Sequence, residues 1–282
     1  MKLIMTLLIR DEIDIISSNI EFHLNNGVDF VIATDNRSVD GTTDILRDYE
    51  RRGVLHYIYE AQDNYAQHRW VTRMARLAAT QFGADWVINS DADEFWWPEH
   101  HDLKQILHSM PPHRDAVGAE RLNFPPRPIV GGQFFADVMT VRERQSLSLL
   151  GQPLLGKTCH RAFTDIEVEQ GNHIVRRHGR PLAAAPGSIT ILHFPMRSYH
   201  QFANKIVNGG SAYKRNANLP SEVGKTWRYL YELWERGELE AYYQAQTVND
   251  AAVEEGLRQG RLVTDVRLQN FFSRHPDRQR PR

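Results

Sequence analysis

The residues with the most capacity for chemistry lie in one run, Asp85-Trp86-Val87-Ile88-Asn89-Ser90-Asp91-Ala92-Asp93-Glu94-Phe95-Trp96-Trp97. An apolar segment turns abruptly acidic, the pattern of a buried strand whose carboxyl end opens into a site. Alternate residues of an extended backbone point the same way, so Asp91 and Asp93 project together. Two adjacent carboxylates repel each other unless a cation or a shared proton relieves them. Hard oxygen ligands at such a place suit Mg²⁺ or Mn²⁺ carrying a phosphate. An isolated Asp-x-Asp is more often a solvated turn, so the elements around it have to decide.

Those elements alternate. Lys2 to Ile9 reads as a buried strand, and Asp11 is placed to cap a helix with Ile13, Ile16, Ile20 and Leu24 at helical spacing. Gly27 supplies its stop. A second strand, Asp29 to Thr34, leads into the polar loop Asp35 to Thr42, and a short helix follows with Ile45, Leu46 and Tyr49 inside. Val54 to Tyr59 is a third strand, and a helix from about Tyr65 to Phe82 precedes the strand that delivers Asp91 and Asp93. This rhythm implies parallel strands joined by right-handed crossovers, with ligands beyond the carboxyl ends of the strands. Three polar clusters fall at such ends: Arg10-Asp11-Glu12, Asp35 to Thr42, and Asp91 to Glu94. No G-x-G-x-x-G follows the first strand and no G-x-x-x-x-G-K-[ST] occurs, so neither a dinucleotide fold nor a P-loop is supported.

Composition narrows the class. The chain has 282 residues and a formal net charge of −1, so no global field recruits nucleic acid or an anionic membrane. Hydrophobic content of 41% fits a soluble globular protein. One cysteine, Cys159, excludes an intrachain disulfide framework and a cysteine zinc cage, and reads as a buried structural thiol. The apolar opening Met1 to Ile9 is followed by Arg10-Asp11-Glu12 rather than a cleavage site, and reads as a strand. No stretch reaches the roughly 18 apolar residues of a membrane span. The expected location is cytoplasmic, with peripheral membrane contact left open.

Leu8-Ile9-Arg10-Asp11-Glu12, Ala33-Thr34-Asp35-Asn36-Arg37-Ser38-Val39-Asp40-Gly41-Thr42 and Asn89-Ser90-Asp91-Ala92-Asp93-Glu94-Phe95 together resemble family 2 glycosyltransferases of GT-A fold. That family carries an early R-N/D-E, a D-N/D-G-S-x-D-G-T loop and a D-A-D motif in this order. Arg37 stands where the family usually has glycine, which implies a slightly different loop geometry and a further phosphate or acceptor contact. The resemblance implies a metal-dependent transferase moving a sugar from a nucleotide-diphosphate donor, UDP foremost, to an acceptor hydroxyl with inversion. Asp35 would bond the nucleotide base. Arg10, Asp11 and Glu12 would border the base and ribose, Asp11 being equally a helix cap. Asp40 would brace the loop. Asp91 would sit near the ribose and the metal, and Asp93 would ligate the Mn²⁺ or Mg²⁺. Glu94 would orient Asp93 or approach the sugar, and Arg69 would reach the diphosphate, a solvated helix face being equally open to it.

Beyond Phe95 the rhythm breaks. Ala116 to Asn123, Phe134 to Arg142 and Lys157 to Phe163 read as strands of an acceptor half. Ile189 to Leu192 is a buried strand ending in His193, and many GT-A enzymes have a metal-ligating histidine downstream of the D-x-D; His193 is assigned to that role, with His173 as rival. Ser198 opens a helix with a capping box, and Asn208-Gly209-Gly210-Ser211 reads as its end and a flexible flap. Arg197, Lys205 and Lys157 are the cations available to a departing diphosphate. The base of an inverting transfer is expected at Glu169, with Asp165 nearby and His173 as an alternative. Past Leu219 the chain turns helical and aromatic, with Trp227, Leu230, Tyr231 and Trp234 at helical spacing; from Arg258 on it is basic, and His275 to Arg282 reads as a disordered tail. The expected organisation is a GT-A catalytic domain over residues 1–215, divided into a nucleotide-sugar half (1–97) and an acceptor half (98–215), built on a mostly parallel central sheet flanked by helices. A helical extension with a basic tail takes up 216–282. The oligomeric state is not legible. The rival functions are a sugar-nucleotide nucleotidyltransferase, weakened by Arg10-Asp11-Glu12 in place of a glycine-rich loop, and a non-catalytic nucleotide- or sugar-binding module.

Overall fold

The computed structural model describes residues 1–63, 66–148, 151–215 and 224–275. Its first part lays down β1 (Leu3–Ile9), α1 (Ile16–Asn25), β2 (Phe30–Asp35), α2 (Thr42–Arg51), β3 (Leu55–Tyr59), α3 (Gln67–Thr80) and β4 (Trp86–Asp91). β1 pairs in parallel with β2 and β4, and β3 adds in parallel outside β2. The register sets Ile9 opposite Asp35 and Leu8 opposite Asp91, so the polar clusters emerge level at one end of the sheet. β1 is apolar on both faces because both are covered: Leu3, Met5, Leu7 and Ile9 enter one core with α1, while Ile4 enters a second core under α3.

Past Asp91 the chain turns through Ala92 and Asp93 into β5 (Glu94–Pro98), then α4 (Leu103–His108), β6 (Ala116–Asn123), α5 (Phe135–Val138), β7 (Val141–Glu143) and β8 (Lys157–Arg161). β9 (Ile166–Val168), β10 (Val175–Arg177) and β11 (Arg180–Pro181) form a small side sheet, and β12 (Ala184–His193) returns to the main one. Among the described residues the main sheet has the order β3-β2-β1-β4-β8-β6-β12-β5. Six of its eight strands run the same way; β8 runs antiparallel to β4 and β6, and β5 antiparallel to β12. Parallel neighbours need a long crossover, usually a helix, and α4 and α5 are too short to supply one after each strand.

The remainder is α6 (Tyr199–Arg215), α7 (Lys225–Glu235), α8 (Leu239–Gln246), α9 (Asp250–Arg258), β13 (Leu262–Thr264) and α10 (Arg267–Ser273). α6, α7 and α8 share a third apolar cluster built on Phe202, Ile206, Leu230, Leu233, Leu239 and Tyr243. α10 returns to the main core through Leu268 and Phe272. No helix among the described residues is long and apolar enough to cross a membrane.

Several local expectations change. Phe134 to Arg142 is not one strand: α5 and then β7 form, and β7 pairs with β13 outside the main sheet. Aromatic packing overrides strand propensity there, since Phe135 meets Phe95 and Phe194, and Phe134 meets Phe272 edge to face. Asp11 caps no helix. It takes a left-handed backbone with φ 54° and accepts a hydrogen bond from the Val39 amide, while α1 begins only at Ile16. Arg37 holds φ 65°, the left-handed conformation a glycine adopts without strain. The helix expected from Tyr65 to Phe82 is α3, and Tyr65 lies outside the described residues. So do the start of the expected aromatic helix (219–223) and residues 276–282 of the tail.

Asn208 to Ser211 ends nothing; α6 runs through to Arg215. Its two glycines remove side chains where α7 crosses closest: a Cβ on Gly209 would lie 2.4 Å from the Trp227 ring, and one on Gly210 would lie 2.5 Å from Tyr231. The helix-breaking cost of a glycine pair is outweighed by this close packing. Gly209→Val is therefore expected to lower stability by about 1–3 kcal/mol through overpacking, read as a drop in the urea midpoint at unchanged slope. An unaltered midpoint would show that α6 and α7 do not pack as described.

Two buried histidines tie the sheet to its helices. His23 Nδ1–H donates to the Asn19 carbonyl, and its Nε2 accepts from the Trp96 amide. His160 bridges Asn89 and the Arg161 carbonyl. Burial pushes each imidazole down to about 4 from 6.5. Because the folded values are depressed, the stability these residues confer is complete above pH 6.5 and is lost as pH falls toward about 4. Urea midpoints measured across that window should fall with pH, and His160→Asn should flatten the slope; an identical slope in the variant would remove His160 as a contributor.

Candidate active site

The site forms where β4, β6 and β12 end and α6 begins. The turn carrying Asp91, Asp93 and Glu94 is braced from beneath by α1: Asn19 Nδ2 donates to the carbonyls of Ala92 and Glu94 at 2.9 and 2.8 Å. From the other side, the Phe194 amide donates to the Asp93 carbonyl. Asp91 and Asp93 are thereby held on a rigid frame, but they face different partners.

Asp93 is buried at the centre of one group. Lys205 Nζ from α6 donates to Asp93 Oδ2 at 2.5 Å, and His193 Nε2 lies 3.8 Å from the same oxygen. Burial alone would raise the Asp93 carboxyl, but Lys205 foremost holds it well below the usual carboxylate range. His193 Nδ1 is hydrogen-bonded to Asn123 Oδ1 at 2.8 Å, which leaves Nε2 directed at Asp93. Burial pushes this imidazole down to about 3, so it is neutral. Lys205 also lies 3.6 Å from Glu12, and Arg197 closes the group from behind with bonds to Glu12, Asp14 and the Phe194 carbonyl. With all three guanidinium nitrogens of Arg197 engaged this way and the residue buried, it braces the group and is not poised to meet a diphosphate.

Asp91 belongs to a second group. Lys157 Nζ, 1% exposed, donates to Asp91 Oδ2 at 2.6 Å and lies 3.2 Å from Glu94 Oε1. Asn172 Nδ2 approaches Asp91 Oδ1 at 3.3 Å, and Arg121 lies 3.8 Å from Glu94. Burial pushes the Glu94 carboxyl up to about 7 against the pull of Lys157. No cluster of three or more His, Cys, Asp or Glu side chains suited to a metal occurs among the described residues. The structure joins Asp93 to His193, and gives Asp91 to Lys157 and Asn172.

The remaining sequence-predicted residues divide. Asp35 is fully buried and accepts from the Ser38 amide, Thr43 Oγ1 and Tyr57 Oη, so its carboxylate shapes the loop after β2. Asp40 braces the same loop, accepting from the amides of Ile13 and Thr42. Arg10 donates to Asp63, which also pairs with Arg37 and Arg215. Asp11 accepts from Asn208 of α6 as well as from Val39. Glu12 is buried, and burial raises its carboxyl despite Lys205 and Arg197. Arg69 is exposed on α3. Glu169 pairs with Arg176 in the side sheet and not with the Asp91–Glu94 turn, although the Gln170–Asn172 turn after it brings Asn172 to Asp91. Asp165 pairs with Arg177 and His178. His173 Nδ1–H donates to the Gly156 carbonyl, and burial with nearby Lys157 pushes it down to about 4.

Asn19, Asp14, Arg121, Asn123 and Asn172 are site-building residues that sequence reasoning missed. Each acts on a group distant in the chain, and only the helical position of Asn19 among apolar neighbours marked it as a buried polar residue in need of partners.

Residues 8–140 match the family model of glycosyltransferase family 92. The matched stretch starts in β1, includes the Asp35–Thr42 loop and the Asp91–Glu94 turn, and is a little under half of the chain. No curated protein matches the sequence. Among solved structures, residues 1–349 of TarS from S. aureus align with 92% of this chain and 92% of their own, at 14% identity and a TM-score of 0.44. Glucosyl-3-phosphoglycerate synthase from Mycobacterium tuberculosis, solved with Mn²⁺, UDP and phosphoglyceric acid, aligns with 57% of this chain and 56% of its own, at 17% identity and a TM-score of 0.33. HddC from Yersinia pseudotuberculosis aligns over 68% of this chain and 77% of its own, at 11% identity and a TM-score of 0.30. The family matched is 92, whereas the motifs resemble family 2; the enzyme class common to both is glycosyltransferase, and that is the class of this chain.

Proposed function

We propose that the protein transfers a sugar from a nucleoside-diphosphate donor, UDP foremost, to an acceptor hydroxyl, on a GT-A-type frame, with inversion and with Mn²⁺ or Mg²⁺. The observation that carries this reading is the meeting of Asp93 and His193 at the strand ends, inside a frame whose first half matches a glycosyltransferase family. The donor set suits a hard divalent cation: one carboxylate and one neutral imidazole, its outer nitrogen already held by Asn123. Two protein ligands leave the other positions to diphosphate oxygens and water, so metal and donor would bind together. When bound, the cation supplies charge neutralisation for the departing diphosphate.

The chain's own residues supply the rest. Lys157 and Lys205 add positive charge beside the Asp91–Glu94 turn, where a leaving group develops negative charge. The 1–97 half presents the loop held by Asp35 and Asp40 to the nucleotide, and the 98–215 half faces the acceptor. The catalytic base is Glu169, whose half-exposed pairing with Arg176 is weak enough to be given up; His173 is the alternative, disfavoured because its imidazole is pushed down to about 4. Arg10 and Arg37 border the nucleotide side of the strand ends.

Two measurements test this. Asp93→Ala is expected to weaken Mn²⁺-dependent UDP binding by at least about tenfold in calorimetry; wild-type affinity in the variant would remove Asp93 from the metal site. Glu169→Gln is expected to reduce transfer by roughly 10²–10⁴-fold while UDP binds as before. Unchanged turnover would reassign the base, and lost UDP affinity would give Glu169 a structural role instead.

A further inference from the structure

Both carboxylates of the Asp91-Ala92-Asp93 motif carry an ammonium group, and the two ammonium groups differ in freedom. Lys157 is 1% exposed and wedged between Asp91 and Glu94. Lys205 is 26% exposed, rises from a helix at the edge of the site, and has a second carboxylate, Glu12, 3.6 Å away. A buried carboxylate such as Asp93 needs a counter-charge in every state of the protein. Its Oδ2 atom is the one that faces His193 Nε2, so the ammonium of Lys205 holds the oxygen that a cation on His193 would also need.

We propose that Lys205 is a tethered stand-in for the divalent cation: it neutralises Asp93 in the empty enzyme, competes with the metal for Asp93 Oδ2, and on metal entry withdraws to Glu12 and the site mouth, where the donor's diphosphate arrives. This rests on the reading that Asp93 and His193 hold the metal. Lys157 does not exchange, so Asp91 stays ammonium-paired throughout. The device keeps a buried carboxylate neutralised without metal, lowers affinity for free metal, and couples metal binding to a cation released toward the leaving group. Metal and nucleotide would then bind with positive cooperativity, because diphosphate rewards the displaced lysine.

Mn²⁺ binding to the free protein, followed by electron paramagnetic resonance without nucleotide or acceptor, reads the competition apart from activity. Lys205→Met is expected to bind Mn²⁺ about tenfold more tightly than wild type, and Lys205→Met/Asp93→Asn should lose that gain. Equal or weaker Mn²⁺ binding in Lys205→Met, with binding still lost in Asp93→Asn, would overturn the competition and leave the metal site standing. No Mn²⁺ binding in any variant, with or without UDP, would overturn the metal reading and the competition with it. The wild-type chain offers a check that needs no substitution: Mn²⁺ with UDP should change the rate at which acetic anhydride labels Lys205, located by peptide mass spectrometry, while labelling of exposed Lys225 stays constant. A Lys205 rate indifferent to Mn²⁺ would also overturn the proposal.

Discussion

Carboxylates brought together at the ends of parallel strands must be neutralised, and much of this structure is organised around that demand. Glu12, Asp14, Asp91, Asp93 and Glu94 converge there, and burial penalises the charges of Glu12, Asp93 and Glu94. Arg121, Lys157, Arg197 and Lys205 answer them from β6, β8, the segment before α6, and α6 itself. Removing either sign would leave buried charge uncompensated, which costs far more than the pairs contribute in excess. β6, β8 and α6 are therefore tied to the first four parallel strands by electrostatics as well as by apolar packing.

The network is graded. Asp93 is held well below the carboxylate range, whereas Glu94, one residue on, is pushed up to about 7. The difference comes from partners: Lys205 faces Asp93 directly with Arg197 behind it, while Glu94 is wholly enclosed and shares Lys157 with Asp91. A site with one firmly ionised carboxylate beside one near neutrality has the two settings that cation binding and proton handling require.

Supporting structure is distributed to match. His23 and Asn19, on α1, fix the backbone under the turn through bonds to Trp96, Ala92 and Glu94. Gly209 and Gly210 let α7 seat against α6, which fixes the helix that carries Lys205. Phe194, directly after His193, is buried against Phe124 and Phe135, so the end of β12 is anchored by aromatic contacts. The residues most remote from the chemistry thus set the positions of the few that face it.

Local pattern determined a good deal. The alternation of strand and helix through Asp91, the level strand ends and the buried status of Cys159 follow from hydrophobic periodicity and turn residues, which act over a few positions and can be read in a string. The motif Asp91-Ala92-Asp93 and the downstream His193 were legible for the same reason, each ending a recognisable strand. What the string could not contain is who meets whom. Lys205 reaching Asp93, Lys157 reaching Asp91, Arg197 turning inward to Glu12 and Asp14, and Asn123 orienting His193 all join residues far apart in the chain. The reversed direction of β8 and β5 and the continuation of α6 through two glycines were equally beyond local pattern, because strand direction follows from crossover length and a helical glycine survives only where a neighbour fills its space. Sequence chose the chemical groups; tertiary packing chose their partners, since counter-charge and close contact are satisfied in space and not along the chain.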